Sequence, residues 1–189
     1  PTRRSYDLAC SDGIWLTENY TNINGEYCIG DVFDLVIEKN DFILCQSGIK
    51  LLDNVNGSSI KENSFDKNQQ GIRIHKSGYS TIKDNTFTEN YEGIQLDSGS
   101  SYNLIYNNYF DNTAINAEDS IFNINTWNIS LTPGTNILGG PYIGGNFWSD
   151  YTGTDTDGDS IGDTNIPYNG LGNIKNGGDY LPIILSDIT

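Results

Sequence analysis

Methionine is absent from the 189 residues, histidine occurs once and cysteine three times. A soft-metal site built from thioether, imidazole and thiolate ligands therefore has almost nothing to draw on. Basic residues are scarce too: ten Lys and Arg against 25 Asp and Glu leave a formal charge of −15. The average field repels nucleic acid and uronate polysaccharides, and no basic run overrides it, so nucleic acid is not expected as a partner. No stretch of about 18 consecutive apolar residues is present, so no segment reads as a membrane-spanning helix. A signal peptide is missing as well, and the start at Pro1-Thr2-Arg3-Arg4 reads as that of a processed or excised piece. Strong helix formers are few and charged residues only 19%, which argues against a helical or doubly wound fold.

What is plentiful is asparagine, 24 residues, and glycine, 21. Both favour turns, so a mostly β fold is expected, and the length suits one domain. The pattern Ile-x-x-Asn-x-Phe occurs at Ile37/Asn40/Phe42, Ile60/Asn63/Phe65, Ile82/Asn85/Phe87 and Ile105/Asn108/Phe110, in steps of 23, 22 and 23 residues. A second pattern interleaves with it: Gly48-Ile49-x-Leu51, Gly71-Ile72-x-Ile74 and Gly93-Ile94-x-Leu96, with an earlier copy at Gly13-Ile14-x-Leu16. Two anchors keeping one period identify a solenoid. A leucine-rich horseshoe would need a helical return with a 3.6-residue stripe, and none is present. Each repeat instead holds short alternating segments separated by Ser, Asn, Asp and Gly turns, which predicts a parallel β-helix with 22–23 residues per coil.

Stacked coils lie about 4.8 Å apart. Ile60, Ile82 and Ile105 should then form an interior aliphatic column, Phe65, Phe87 and Phe110 an aromatic one, and Asn63, Asn85 and Asn108 an amide ladder. Gly48, Gly71 and Gly93 are expected at a backbone corner that a side chain would obstruct. Gly13 and Ile37 are too far apart for one ordinary coil, so a loop is inserted near 17–34. Residues 1–122 are read as coils carrying that loop, and 123–189 as the final coil or coils and an irregular cap of the same domain. Cys10 and Cys45 stand at equivalent positions of consecutive coils, within reach of a disulfide. A stack of free thiols, or pairing of either with Cys28 in the insertion, remains open. Sequons at Asn19, Asn56 and Asn128 are candidate N-glycosylation sites and fit an exported protein.

Beyond Asn123 the period is lost. Here stand Gly139-Gly140-Pro141-Tyr142, Gly144-Gly145-Asn146-Phe147-Trp148-Ser149-Asp150-Tyr151, Asp155-Thr156-Asp157-Gly158-Asp159-Ser160-Ile161-Gly162-Asp163 and Asp179-Tyr180-Leu181-Pro182. Together with the Asn-rich coils, over roughly residues 35 to 183, these motifs resemble the NosD-like family of right-handed parallel β-helix proteins. That family is grouped with the carbohydrate-binding and sugar-hydrolase (CASH-type) β-helices, and the resemblance extends to surface proteins of methanogenic archaea. It implies a right-handed helix and an extracellular or cell-surface location. The family name also implies periplasmic copper delivery, which the donor set argues against: no Met, His75 alone, and two of three Cys at stacking positions.

The acidic stretch suits a harder cation. Asp155, Asp157, Asp159 and Asp163 fall at relative positions 1, 3, 5 and 9, with the Ile161 carbonyl at position 7, a spacing that wraps oxygens around Ca²⁺. The bidentate Glu of an EF-hand is missing, and Asp150 and Asp179 are candidates to close the sphere. A structural calcium would fix this segment over the end of the solenoid, with Phe147, Trp148 and Tyr151 covering the last coil.

Outward positions counted from the repeat put Trp15, Lys50, Arg73 and Gln95 in one column and Thr17, Leu52, His75 and Asp97 in the next. The first, together with His75 and Asp97 of the second, is a candidate sugar-binding strip. His75 and Asp97, one coil apart, are near enough for a hydrogen bond that raises the imidazole pKa. Paired carboxylates of the glycosidase kind are not found among these positions. The expected function is a non-catalytic extracellular domain for adhesion, carbohydrate recognition or surface structure, with a glycan or other copies of itself as partner. A self-assembling subunit of a filament, sheath or surface layer and a polysaccharide lyase or hydrolase are the alternatives.

Overall fold

The computed structural model describes residues 5–6, 12–17, 19–21, 27–29 and 32–185, with side chains for 12–14 and 33–185. Three parallel sheets run along a right-handed β-solenoid of about four turns. The first, here the Gly face, aligns Asp12–Thr17, Ser47–Leu52, Gln70–His75, Glu92–Leu96 and Ile115–Asp119. The second, the Ile face, aligns Val36–Glu38, Ser59–Lys61, Thr81–Lys83 and Leu104–Tyr106. The third, the Phe face, aligns Ser5–Tyr6, Asp41–Ile43, Ser64–Asp66, Thr86–Thr88, Tyr109–Asp111 and Phe147–Trp148.

The repeat keeps its register from coil to coil. Ile37, Ile60, Ile82 and Ile105 are Cα partners in succession, as are Phe42, Phe65, Phe87, Phe110 and Trp148. The strands are so short because a corner follows each of them, and those corners fall on non-glycine residues at positive φ, such as Lys39, Glu62, Asp84 and Asn107. The repeat glycines do not sit at corners. Gly48, Gly71 and Gly93 lie inside strands of the Gly face, where the reason for glycine is close approach. A Cβ on Gly71 would lie 2.6 Å from the Gly93 carbonyl and 2.7 Å from the Phe87 ring.

The core is a set of stacks. Phe42, Phe65, Phe87 and Phe110 are ring-stacked at 5.0, 4.7 and 4.7 Å. Trp148 continues them at 4.5 Å and Tyr168 lies on Trp148 at 4.5 Å, so the aromatic column runs unbroken into the region where the sequence period fails. Phe147 stacks on Tyr109 at 4.6 Å, and Tyr151 meets Tyr168 edge-on.

Asparagine forms three ladders of one polarity. In the first, the backbone N–H and Nδ2 of Asn40 donate to Asn63 Oδ1, and the same pair of bonds repeats from Asn63 to Asn85, Asn85 to Asn108 and Asn108 to Asn146. Asn146 then donates its N–H to Asp179 Oδ2 at 2.7 Å. The second runs Asn68, Asn90, Asn112, Asn116 and ends where Asn116 Nδ2 donates to Asp150 Oδ1. The third runs from Asn103 to Asn125 and ends on both oxygens of Asp119. An amide ladder presents donors at one end, and a carboxylate, which only accepts, is the group that can receive them without needing a further coil.

The inserted loop contains an antiparallel pair, Asn19–Thr21 with Tyr27–Ile29. Cys45 is buried and disulfide-bonded; its partner sulfur lies outside the described residues, as do Cys10 and the side chain of Cys28. Of the sequons, Asn56 accepts the Gly78 N–H through Oδ1, Asn128 accepts that of Tyr180, and the side chain of Asn19 lies outside the described set. No helix among the described residues is long and apolar enough to cross a membrane.

Candidate functional site

On the Gly face side chains alternate between core and solvent, which places one residue per coil in each outward row. Trp15, Lys50, Arg73 and Gln95 are Cα partners in register, and Glu118 extends the row by one coil. Thr17, Leu52 and His75 form the next row. The side chains of Trp15 and Thr17 lie outside the described set.

The row is cross-linked by its flanks. Lys50 Nζ lies 3.5 Å from Asp12 Oδ1. Arg73 donates through Nε at 2.9 Å to Asp97 Oδ2, with Nη2 at 2.8 Å from the same oxygen. Gln70 donates Nε2 to Glu92 Oε2 at 3.0 Å and also to Gln95 Oε1. The expected His75–Asp97 hydrogen bond is not formed. His75 Nδ1 stands 3.5 Å from Asp97 Oδ2 without a hydrogen-bond partner, while the guanidinium donates to that same oxygen. Glu118 is the carboxylate left over: burial first, then the nearby charges of Glu92 and Asp97, push it above the usual range, while Lys175 opposes them.

Glu118 was hidden by substitutions at the anchors. The fifth copy reads Asn116-Ala117-Glu118-Asp119 in place of Gly-Ile-x-Leu, although the step from Phe110 to Asn116 equals that from Phe87 to Gly93. Counting from phenylalanine rather than glycine recovers it.

The acidic loop brings Asp155, Asp157 and Asp159 together, one carboxylate oxygen of each lying within 4.8 Å of the others. Local turns shape it. Asp155 accepts from Gly158 at 2.6 Å, Ser160 at 2.8 Å and Asp157 at 3.2 Å, and Asp159 accepts from Ile161 at 2.8 Å. Burial raises the Asp155 carboxyl, but the N–H donors of Ser160 and Gly158 outweigh it and the net shift is down. Asp159 is shifted up, by burial and by the charges of Asp157, Asp155 and Asp163 against the opposing Ile161 N–H.

Asp163 stands apart from that trio. Its Oδ2 accepts from the Thr156 hydroxyl at 2.5 Å and N–H at 2.7 Å, which lowers its pKa. The Ile161 side chain is buried, and its backbone forms an antiparallel bridge with Ile183. Asp150 and Asp179 do not close the loop, being spent inside the cap: Asp150 accepts from Tyr168 and Asn116, Asp179 from Asn146, Trp148 and Leu181.

Residues 7–153 match the family described as "Periplasmic copper-binding protein (NosD)". The match stops two residues before Asp155, so the acidic loop lies outside it. No curated protein matches the chain. Among the described residues the donors do not fit copper. There is no Met, the one imidazole faces Asp97, the Cys45 sulfur is held in a disulfide, and the metal-ligating groups that converge among the described residues are all carboxylate oxygens. With a match over more than half its length and the coil-by-coil register behind it, the chain belongs to the NosD family of parallel β-helix proteins.

Proposed function

We propose that this is a non-catalytic recognition domain acting outside the cytoplasm, reading a neutral, extended glycan along the Gly face. The row Lys50–Arg73–Gln95–Glu118 carries this reading. It offers donors and acceptors at a repeat of about 4.8 Å, close to the rise of one sugar in an extended polysaccharide. The charge of −15 disfavours uronates. The family's periplasmic description and the Cys45 disulfide suit an oxidising compartment.

Chemistry is poorly provided for on this face. Asp97 is held by Arg73 and Glu92 by Gln70, which leaves Glu118 without a second free carboxylate among the described residues of this face. Retention on an array of neutral glycans should fall at least tenfold in Arg73→Ala. Stability should change by less than about 1 kcal/mol, since the ion pair is still open to solvent, its side chains 37% and 21% exposed. An array with no retained glycan overturns the reading, and polysaccharide turnover abolished by Glu118→Gln would replace it with an enzyme.

The acidic loop is proposed to hold a structural Ca²⁺ through Asp155, Asp157 and Asp159, with the Ile161 carbonyl and water among the remaining ligands. Three carboxylates this close repel one another until a cation joins them. Calcium at about 100 times its dissociation constant should add about 2.7 kcal/mol to stability. Chelation should reverse the gain in melting experiments, and Asp157→Asn should remove most of it. A melting temperature indifferent to calcium and chelator would leave the loop a solvated acidic turn.

A further inference from the structure

One corner column differs from every other. Among the described residues, corner residues at positive φ along the coils are otherwise charged, polar or glycine with the single exception of Leu44, but the column that runs from Asp34 to Gly57 continues with Tyr79 and Tyr102, at φ 57° and 64°. A bulky side chain in the left-handed region costs about 1 kcal/mol or more, and glycine would fit there freely. The two rings are stacked at 5.0 Å and stay 65% and 55% exposed.

The next coil continues the stripe. Ile124 sits above Tyr102, whose N–H donates to its carbonyl, and is 57% exposed, while the turn before it holds up Ile121 at 61% and Phe122 at 82%. These five side chains expose on the order of 600 Å². The largest apolar patch on a monomer is usually about 300–600 Å², and a standard interface takes about 800 Å² per partner.

The surroundings are equally distinctive. The segments 77–81, 98–104 and 120–126 read Ser-Gly-Tyr-Ser-Thr, Ser-Gly-Ser-Ser-Tyr-Asn-Leu and Ser-Ile-Phe-Asn-Ile-Asn-Thr, without one charged residue in a chain of charge −15. Rigid tyrosines among Ser, Gly and Asn are the composition of protein-binding loops.

We infer that this corner is a homodimer interface, two copies packing antiparallel about a two-fold axis so that Phe122 of each meets the Tyr79–Tyr102 stack of the other. Two features select a second copy. Bringing together two molecules of charge −15 is least unfavourable along the three uncharged segments, which lie beyond Asp34 and Gly57 in this column, and a linear stripe with a protruding ring at one end and a ring stack at the other complements itself when reversed. Sugar is disfavoured because Tyr79 and Tyr102 spend a face on each other and the aliphatic Ile121 and Ile124 offer no hydrogen bond. The inference is independent of the glycan reading, which concerns the Gly face.

Sedimentation equilibrium between about 1 µM and about 1 mM should show a monomer–dimer equilibrium. Phe122→Ser and Tyr102→Gly should each weaken it at least about 30-fold, since a two-fold interface loses both copies of the side chain. Tyr102→Gly also relieves the positive φ, so its melting temperature should not fall appreciably and lost association cannot be blamed on unfolding. A protein monomeric throughout this range, or a dimer indifferent to both substitutions, overturns the inference. So does a monomer that retains a glycan lost in both variants, which would assign the stripe to sugar.

Discussion

Asp179→Ala is expected to destabilise the protein by on the order of 4 kcal/mol and to loosen the C-terminal cap before the coils melt. Asp179 is fully buried and accepts four N–H donors: Asn146 N at 2.7 Å, Trp148 Nε1 at 2.9 Å, Leu181 N at 3.0 Å and Asn146 Nδ2 at 3.4 Å. Alanine orphans the indole and two backbone donors inside the protein, each at about 1–3 kcal/mol. The cavity cannot collapse from the Gly145 side without moving backbone, because that glycine is already seated against the carboxylate. Denaturant unfolding followed by tryptophan fluorescence reads both effects, since Trp148 is the donor. A loss below about 1 kcal/mol would mean that the carboxylate terminates nothing.

The same residue makes stability depend on pH. Burial drives the Asp179 carboxyl up to about 6 from 3.8, against the pull of the Asn146, Trp148 and Leu181 donors. The folded state thus holds a proton that the unfolded chain has released. Its contribution is most favourable below about 4 and is lost as pH rises through about 6, a swing of about 3 kcal/mol. Asp179→Asn keeps one acceptor oxygen and cannot titrate, so this slope between pH 4 and 6 should vanish in that variant.

Much of the scaffold was legible because stacking repeats a residue type wherever it repeats an environment. The Ile, Phe and Asn columns are of this kind, and their period was enough to identify a parallel β-helix. Legibility failed where geometry persisted without the residue. Trp148 takes the next phenylalanine place 38 residues after Phe110, and Asn116 and Ala117 take the places of Gly and Ile. The glycines misled in another way: close approach to a ring and a carbonyl selects Gly as strictly as a corner does, so composition could not tell the two apart. Of the acidic loop, the alternation of Asp155, Asp157 and Asp159 was readable because two-residue turns act locally. The capture of Asp163 by Thr156 was not, being one choice among many nearby hydroxyls. Asp150 and Asp179 have no periodic signature, and Asp119 stands where earlier coils hold leucine or isoleucine, since a terminator occurs once per ladder.

Asn85→Asp tests the ladder logic from its middle. Asn85 Oδ1 accepts from Asn63 N and Nδ2, which a carboxylate could also do, while Asn85 Nδ2 donates to Ile60 O at 2.9 Å, Lys83 O at 2.8 Å and Asn108 Oδ1 at 3.0 Å. The substitution changes one atom and turns those contacts into oxygen facing oxygen in a buried site. A buried carboxylate with donors on only one of its two oxygens costs about 3–5 kcal/mol, so the loss at pH 7 should be of that order, comparable to emptying the neighbouring Phe87 position. The introduced carboxyl escapes part of it by protonating, because a protonated oxygen can donate once. Its folded pKa is therefore raised above the unfolded value near 3.9. The sign follows: the variant approaches wild type below about pH 4 and loses stability as pH rises toward 7. Wild type and Asn85→Asp compared by denaturant unfolding at pH 4 and 7 decide the matter, and an equal loss at both would show that the ladder lacks the donor–acceptor polarity on which its aspartate terminus depends. At the end of a ladder the acid is required and in its interior it is excluded, although both positions are buried and both receive the same donors from the coil before.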